Sequence, residues 1–399
     1  MTTPTGEAAG AGNVLISGAS IAGPALAYWL GRYGFNPTVV EVAPALRGGG
    51  AAVDFRGPTH LTVLERMGIL DDLRRLDTGG SPYSFVDETG REVARLPAEF
   101  AGGDVEVLRE DLSRVLYERS RNATQYIFGD SIASMTEADD GVHVTFEKGA
   151  PRTFDLVVGA DGLHSNVRRL AFGPESQFVG FLGYYVAGWD LPDHLNAGRT
   201  TLLYNVPGKL ASVGGDHRDG TRARAFVVFA SEPLDYDRRD LDQQKKIVAD
   251  TFSGVGWQAP RLIEALWDAS ELYFDSISRA DVNHWSTGRA ALVGDAAYGA
   301  TIGGMGTGMA VVGAYVLAGE LAAAGGDHRS AFARYEQRLR DYATDCQKGG
   351  ERTGRFLAPA TSTRIRIRNR MLNSRLVSGW LLNQGQKVSS NLTLGDYPG

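Results

Sequence analysis

The chain has 399 residues with 41 Lys and Arg against 47 Asp and Glu, a formal net charge of −6, which excludes the basic footprint of a general nucleic-acid binder. Apolar residues at 43% and charged residues at 22% suit a globular chain with sizeable cores and exclude a disordered chain or a small stapled scaffold. The single cysteine, Cys346, has no partner for a disulfide, residues 1–12 lack the pattern of a signal peptide, and no run is read as a membrane span, so the expectation is a cytoplasmic protein with neither membrane nor nucleic acid as partner.

Asn13–Ser17 reads as a buried strand, Pro24–Tyr33 after a glycine-rich turn as a buried helix, and Pro37–Glu41 as a second buried strand, which together make a βαβ unit. A hairpin follows at Tyr83–Leu96 about Glu88-Thr89-Gly90, then a helix at Arg109–Arg121. Strands are expected at Asp130–Glu137, Val142–Glu147 and Thr153–Gly159. From Phe178 to Phe229 aromatic and β-branched segments run without helices, the texture of an antiparallel sheet. Helices are expected at Leu241–Phe252 and Pro260–Trp267, strands near Tyr273–Ile277 and at Ala290–Gly294, a long helix from Gly306 to Ala323, and two or more helices after it. The class is therefore α/β. A discontinuous Rossmann-like unit (1–80, 105–175 and 272–325) is interleaved with an antiparallel-sheet domain (81–104 and 176–271), and 326–399 form a helical C-terminus.

Gly18-Ala19-Ser20-Ile21-Ala22-Gly23 matches a dinucleotide fingerprint at its first and third glycines, with Ser20 at the second. Glu41 ends the next strand, where a carboxylate can accept both hydroxyls of an adenosine ribose. A plain strand-to-helix turn and a solvated strand-end acid are the competing readings. The same turn nearly spells a nucleophile elbow, with Ala22 in place of a glycine, so a serine hydrolase is the rival class. Two further buried strands end in acids: DLVVGADGLHSNVR, with Asp161-Gly162 ahead of Ser165 and Arg168, and GRAALVGDAAY, with Gly294-Asp295 ahead of GGMGTGMA. A strand end in an α/β sheet is where ligands sit, and an Asp there can accept from a ribityl or ribose hydroxyl.

These three motifs, in this order and over roughly Val14 to Arg340, resemble the single-component flavoprotein monooxygenases with the para-hydroxybenzoate hydroxylase fold. The resemblance implies an FAD-binding unit in which Gly18–Gly23 and Glu41 serve the ADP half of FAD. Asp161 and Gly162 would serve the flavin and nicotinamide, Asp295 the ribityl chain, and Arg109 would reach the FAD. It implies NAD(P)H as a transient co-substrate and oxygenation of an aromatic or polycyclic small molecule by O2 through a flavin hydroperoxide, in a monomer or homodimer. The compact length is similar to tetracycline-inactivating and tailoring monooxygenases. Tyr298, followed by Gly299-Ala300-Thr301-Ile302, replaces the family's histidine and prolines, so this loop is expected to be more flexible or differently shaped.

No metal cluster, carboxylate pair or triad is recognisable, so the hard chemistry falls to the cofactor. The helix start at Gly306, Thr307 and Gly308 should aim free N–H groups at the flavin's negatively charged edge, with Gly304, Gly306 and Gly308 permitting close approach. Glycines 48–50 and 303–308 would let the flavin swing outward. Tyr184, Tyr204, Phe226 and Phe229 are candidates to line the substrate pocket, against the alternative that each is plain core. TRIRIRNR at Thr363–Arg370 reads as a solvated helix face, and Cys346 as inert. A flavin-dependent dehydrogenase or reductase on the same fold is the enzyme alternative.

Overall fold

The computed structural model describes residues 12–48, 51–193, 198–216, 219–302, 305–374 and 392–397. Residues 1–11, Gly49, Gly50, Gly303 and Gly304, on which some expectations rest, lie outside the described residues.

A six-stranded sheet runs in the order Ser286–Thr287, Ala290–Leu292, Leu156–Gly159, Asn13–Ser17, Asn36–Glu41, Gln125–Phe128. All its pairings are parallel except the hairpin of Ser286–Thr287 with Ala290–Leu292. Both faces are covered, so Val14, Leu15, Ile16, Val157 and Val158 are wholly buried and the strands read as continuous apolar runs rather than alternating ones. The chain leaves Asn13–Ser17 for Asn36–Glu41 on one side, while Leu156–Gly159 flanks it on the other. The crevice at the carboxyl end of Asn13–Ser17 is therefore a topological switch point, where such sheets take their ligands.

Helix Ala22–Arg32 packs on helix Gly306–Ala323, whose residues from Gly308 to Leu321 are all buried. This helix has the length and composition of a membrane span, yet 78% of it is enclosed in the core.

A seven-stranded sheet runs Tyr273–Ala280, Val179–Pro192, Arg222–Ala230, Lys209–Gly215, Thr201–Val206, Tyr83–Val86, Glu92–Leu96. It is antiparallel apart from Thr201–Val206 with Tyr83–Val86. Tyr273–Ala280, expected with the nucleotide unit, belongs to this sheet: it pairs with Val179–Pro192 from Val179↔Ala280 to Gly188↔Tyr273. One face packs on helices Leu241–Phe252 and Ala259–Asp268. The other meets the end of helix His328–Leu357 and helix Ser362–Leu372.

Two strands unforeseen in the sequence, Ala52–Phe55 and Val105–Leu108, pair antiparallel, and helix Gly57–Arg66 follows the first. Gln125–Phe128 and helix Leu70–Arg75 also escaped the sequence reading, and the single strand expected at Thr153–Gly159 is two, Arg152–Phe154 and Leu156–Gly159, in different sheets. Within Thr363–Arg370, Arg368 departs from the expected solvated face. It is 8% exposed, its guanidinium lies 4.1 Å from the Phe85 ring centre, and it donates to Asn205 Oδ1 at 2.8 Å.

Candidate cofactor site

Gly18 ends the central strand at φ +105°, and a Cβ there would fall 2.5 Å from the Ala160 carbonyl oxygen. A Cβ on Gly23 would lie 1.9 Å from the Gly18 oxygen, so this glycine lets helix Ala22–Arg32 start directly on the strand. The fingerprint glycines thus fulfil their turn and packing roles. Ser20 Oγ accepts from Arg109 Nη2 at 3.1 Å, and the Ser20 carbonyl accepts from Ser113 Oγ at 3.1 Å. Among the described residues no histidine hydrogen-bonds Ser20, so the triad of the hydrolase reading is not assembled.

Glu41 sits over the same turn. Its Oε2 accepts from the Ala19 N–H at 2.8 Å and its Oε1 from the Ala43 N–H at 2.9 Å, which fixes the carboxylate at the rim of the crevice with lone pairs to spare.

Asp161 turns inward. It accepts from Ser17 Oγ at 3.1 Å, from the Asn166 and Val167 N–H groups at 2.9 and 3.1 Å, and from the Ser165 hydroxyl. Burial pushes its carboxyl above the ordinary value against the pull of these donors. The carboxylate therefore locks the 161–165 loop, in which Gly162 turns the backbone at φ +82° with nothing within 4 Å of a notional Cβ. Arg168, wholly buried, ties this loop to the next motif by donating to the Leu163 carbonyl and to Ala296 O at 2.8 Å.

Asp295 is the outstanding polar group. It follows Gly294 (φ +66°), is half-buried, and makes no hydrogen bond among the described residues. Burial raises its carboxyl, with the Arg109 charge pulling the other way. A Cβ added to Gly306 would come 3.1 Å from Asp295 Oδ1, so the carboxylate lies against the first turn of the long core helix. The first N–H groups of any α-helix lack intrahelical acceptors. Here those of Gly306 and Thr307, both half-buried, stand beside a carboxylate that itself needs donors. Hydroxyls of a ribityl chain satisfy the acid and a negatively charged ring edge satisfies the helix start, so the residues present fit a flavin.

Gly308 has another neighbour than expected. A Cβ there would lie 2.1 Å from His60 Cε1, so what this glycine admits is the imidazole of helix Gly57–Arg66. His60 Nδ1 accepts from the Arg56 N–H at 3.1 Å and its Nε2 lies 2.7 Å from the Tyr342 hydroxyl. Burial, helped by Arg56, lowers its pKa to about 4, so the ring is neutral and Nε2 donates to Tyr342. The sequence reading missed His60. The available signal was RGPTH, a helix start with proline in its first turn.

Tyr298 points away from the crevice into the core, its hydroxyl 3.2 Å from that of Tyr335, and a Cβ on Gly313 would touch it at 2.0 Å. The loop after it is secured without prolines: Ala280 N–H donates to Gly299 O at 2.9 Å, and Thr301 Oγ1 accepts from the Ser278 N–H and donates to Ser276 O.

Of the four aromatic candidates, Tyr184 and Phe226 share the face that meets the C-terminal helices and Ile302 of the cofactor loop. Tyr184 is 9% exposed beneath Gly354, whereas Phe226 is half-buried. Tyr204 and Phe229 lie on the opposite face, in the core under the two surface helices.

Residues 12–353 match the family model described as FAD binding domain. An uncharacterized protein of Mycobacterium tuberculosis is 44% identical over 81% of this chain and 88% of its own length. A flavin-dependent monooxygenase of Legionella longbeachae is 34% identical over 96% of this chain and 98% of its own. The crystal structure of the tetracycline destructase Tet(51) superposes with a TM-score of 0.85 at 32% identity, covering 97% of this chain and all of that one. The chain belongs to the FAD-binding domain family, as a flavin-dependent monooxygenase of the para-hydroxybenzoate hydroxylase fold.

Proposed function

We propose that the enzyme uses NAD(P)H and O2 to oxygenate an aromatic or polycyclic small molecule held between the flavin and the Phe226 face of the seven-stranded sheet. The observation that carries this reading is Asp295, a half-buried carboxylate that makes no hydrogen bond among the described residues and lies against the first turn of the long core helix. When bound, the flavin supplies the two-electron chemistry that activates oxygen. The chain's own residues bind and orient. Glu41 accepts from the adenosine ribose, the Gly18–Gly23 turn lets the pyrophosphate approach, and Arg109 braces that turn through Ser20. Asp295 accepts from the ribityl chain, Gly306 and Thr307 face the negatively charged ring edge, and Asp161 acts through the backbone of Gly162.

The name of the Tet(51) relative supports a polycyclic substrate. On this reading the chain works as two interleaved units, 1–80, 105–175 and 272–325 against 81–104 and 176–271, except that the strand Tyr273–Ala280 goes with the second, whose sheet it joins. The buried free thiol of Cys346 supports a reducing, cytoplasmic compartment. The reading is tested by purifying the protein and recording its visible spectrum before and after adding FAD. A flavin spectrum, with NADPH oxidation stimulated by a fused-ring aromatic compound, is the expected result. A protein that neither carries nor takes up FAD overturns the reading.

A further inference from the structure

The helix that starts at the cofactor crevice has no side-chain cap. Its N-cap residue is Met305, in the left-handed region at φ +53°, and no side chain caps its first turn among the described residues. The first N–H groups of this helix therefore have no hydroxyl or carboxylate of the chain to fix their direction, as a Ser or Asp cap would.

What holds the turn is found on its flanks. At about 3.6 residues per turn, Gly306 and Gly308 stand roughly 200° apart around the helix axis. A Cβ on Gly306 would face Asp295 Oδ1, whereas one on Gly308 would fall 2.1, 2.4 and 2.5 Å from Cε1, Nε2 and Nδ1 of His60. The first turn thus lies between the two, with the Asp295 carboxylate on one side and the imidazole flush against the Gly308 backbone on the other.

His60 is itself immobilised. It is 1% exposed, its Nδ1 accepts from the Arg56 N–H at 3.1 Å, and its Nε2 meets the Tyr342 hydroxyl at 2.7 Å. Tyr342 is buried too and hydrogen-bonds Cys346 in turn. The Phe55 ring stands edge-on to the imidazole, 6.2 Å away between centres at 84°. The ring is therefore fixed from strand Ala52–Phe55 and from helix His328–Leu357, neither of which is part of the helix it supports. An apolar side chain would fill the same space without a desolvation cost. Two partnered nitrogens add a fixed position, which is what a prop requires.

We infer that His60 is a positioning residue for the cofactor, pressing the first turn of helix Gly306–Ala323 into place so that the N–H groups of Gly306 and Thr307 stay aimed at the flavin's negatively charged edge. The inference rests on the monooxygenase reading and adds to it a control on the flavin's redox potential. Negative charge grows on that edge when the flavin is reduced, so donors held there favour the reduced form. Without the imidazole the turn relaxes into the space left behind, and the reduced form loses more than the oxidised one.

The measurement is the flavin midpoint potential of protein kept saturated with FAD, read by slow anaerobic reduction against a dye of known potential. His60→Ala should lower the midpoint by at least about 30 mV, a tenfold loss in the preference for reduced over oxidised flavin. His60→Gln, which fills much of the space and keeps an N–H for Tyr342, should recover at least half of that shift. Tyr342→Phe removes only the hydroxyl that Nε2 meets, and should lower the midpoint by less. A role confined to packing would lower the unfolding temperature of these variants and leave the midpoint where it is. An unchanged or raised midpoint in flavin-loaded His60→Ala, or a shift that Gln does not reduce, therefore overturns the inference. Should His60→Ala fail to fold, Tyr342→Phe decides alone: a lowered midpoint supports the inference and an unchanged one overturns it. An unsubstituted protein that takes up no FAD removes the monooxygenase reading itself, before any variant is compared.

Discussion

At the scale of single residues the account depends on two carboxylates: Asp295, which makes no hydrogen bond among the described residues, and Glu41, held by backbone N–H groups. Asp295→Ala leaves ribityl hydroxyls unpaired and should weaken FAD binding by about 1.5–3 kcal/mol, the usual range for a hydrogen bond to a charged group. Asp295→Asn keeps one acceptor oxygen and should lose less. Titration of apoprotein with FAD ranks the two, and equal losses would count against a hydrogen-bonding role. Glu41→Ala should weaken FAD in the same assay and also release the Ala19 and Ala43 N–H groups. Gly308→Ala places a methyl 2.1 Å from His60 Cε1. Overpacking of this kind costs about 1–3 kcal/mol, so urea unfolding should show that loss, and adding His60→Ala should recover part of it. Independent effects that simply sum would break the assigned contact.

Legibility at this scale was uneven for physical reasons. Glu41 and Asp295 could be read because strand-end acids after glycine turns are local signals. Asp161 could be located but its direction could not, since that depends on Ser17, a residue 144 positions away that donates to it. His60 was invisible because its partner, Gly308, comes from another helix. Tyr204 and Phe229 stood on the same footing as Phe226 in sequence, and only strand register separates the two faces of a sheet.

At the scale of elements, His164 fastens the 161–165 loop to the seven-stranded sheet. Its Nδ1 lies 3.0 Å from Glu175 Oε2 and its Nε2 3.2 Å from Asp275 Oδ1, while Arg238 holds the other Glu175 oxygen at 3.1 Å. Burial alone would lower the histidine, but the hydrogen bonds to Asp275 and Glu175 outweigh it and raise the pKa to about 9. Glu175 is lowered to about 2, chiefly by its hydrogen bond from His164. A raised histidine stabilises the fold fully below its ordinary value of 6.5, and the contribution is lost as pH rises through about 9. His164→Asn should therefore cost about 1–3 kcal/mol near pH 6 and much less near pH 10, as read by urea unfolding at both. A penalty that does not shrink with rising pH would contradict the charged clamp.

The parallel sheet and its helices were readable because buried strands announce themselves as apolar runs. The pair Ala52–Phe55 and Val105–Leu108 was not, because strands of four residues carry too few positions to show a period, and their partners lie about fifty residues apart.

Across the whole molecule, one core helix links the cofactor crevice to the chain's far end. Glu320, 2% exposed on helix Gly306–Ala323, accepts from Tyr397 Oη at 2.8 Å and pairs with Arg334 and Arg338. The Tyr397 ring fills the space over Gly319, where a Cβ would come within 2.2 Å of it, and Tyr315 Oη donates to Gly395 O at 2.8 Å. Tyr397→Ala should lower the unfolding free energy by about 1–3 kcal/mol through lost packing and one lost bond to a charged acceptor. Thermal unfolding of the FAD-loaded protein checks it, and an unchanged midpoint would mean that the C-terminal segment does not brace this helix.

The central claim is that Asp295 and Glu41 would hold an FAD, which would supply the chemistry for oxygenating an aromatic molecule at the Phe226 face. It is tested most directly by incubating the FAD-loaded enzyme with NADPH and fused-ring phenols under oxygen-18 gas, followed by mass spectrometry. The account predicts a product carrying one labelled oxygen atom, formed only with both NADPH and enzyme and reduced in Asp295→Ala in step with its lower FAD content. Products that have lost hydrogen without gaining label would contradict it and favour a dehydrogenase built on the same fold.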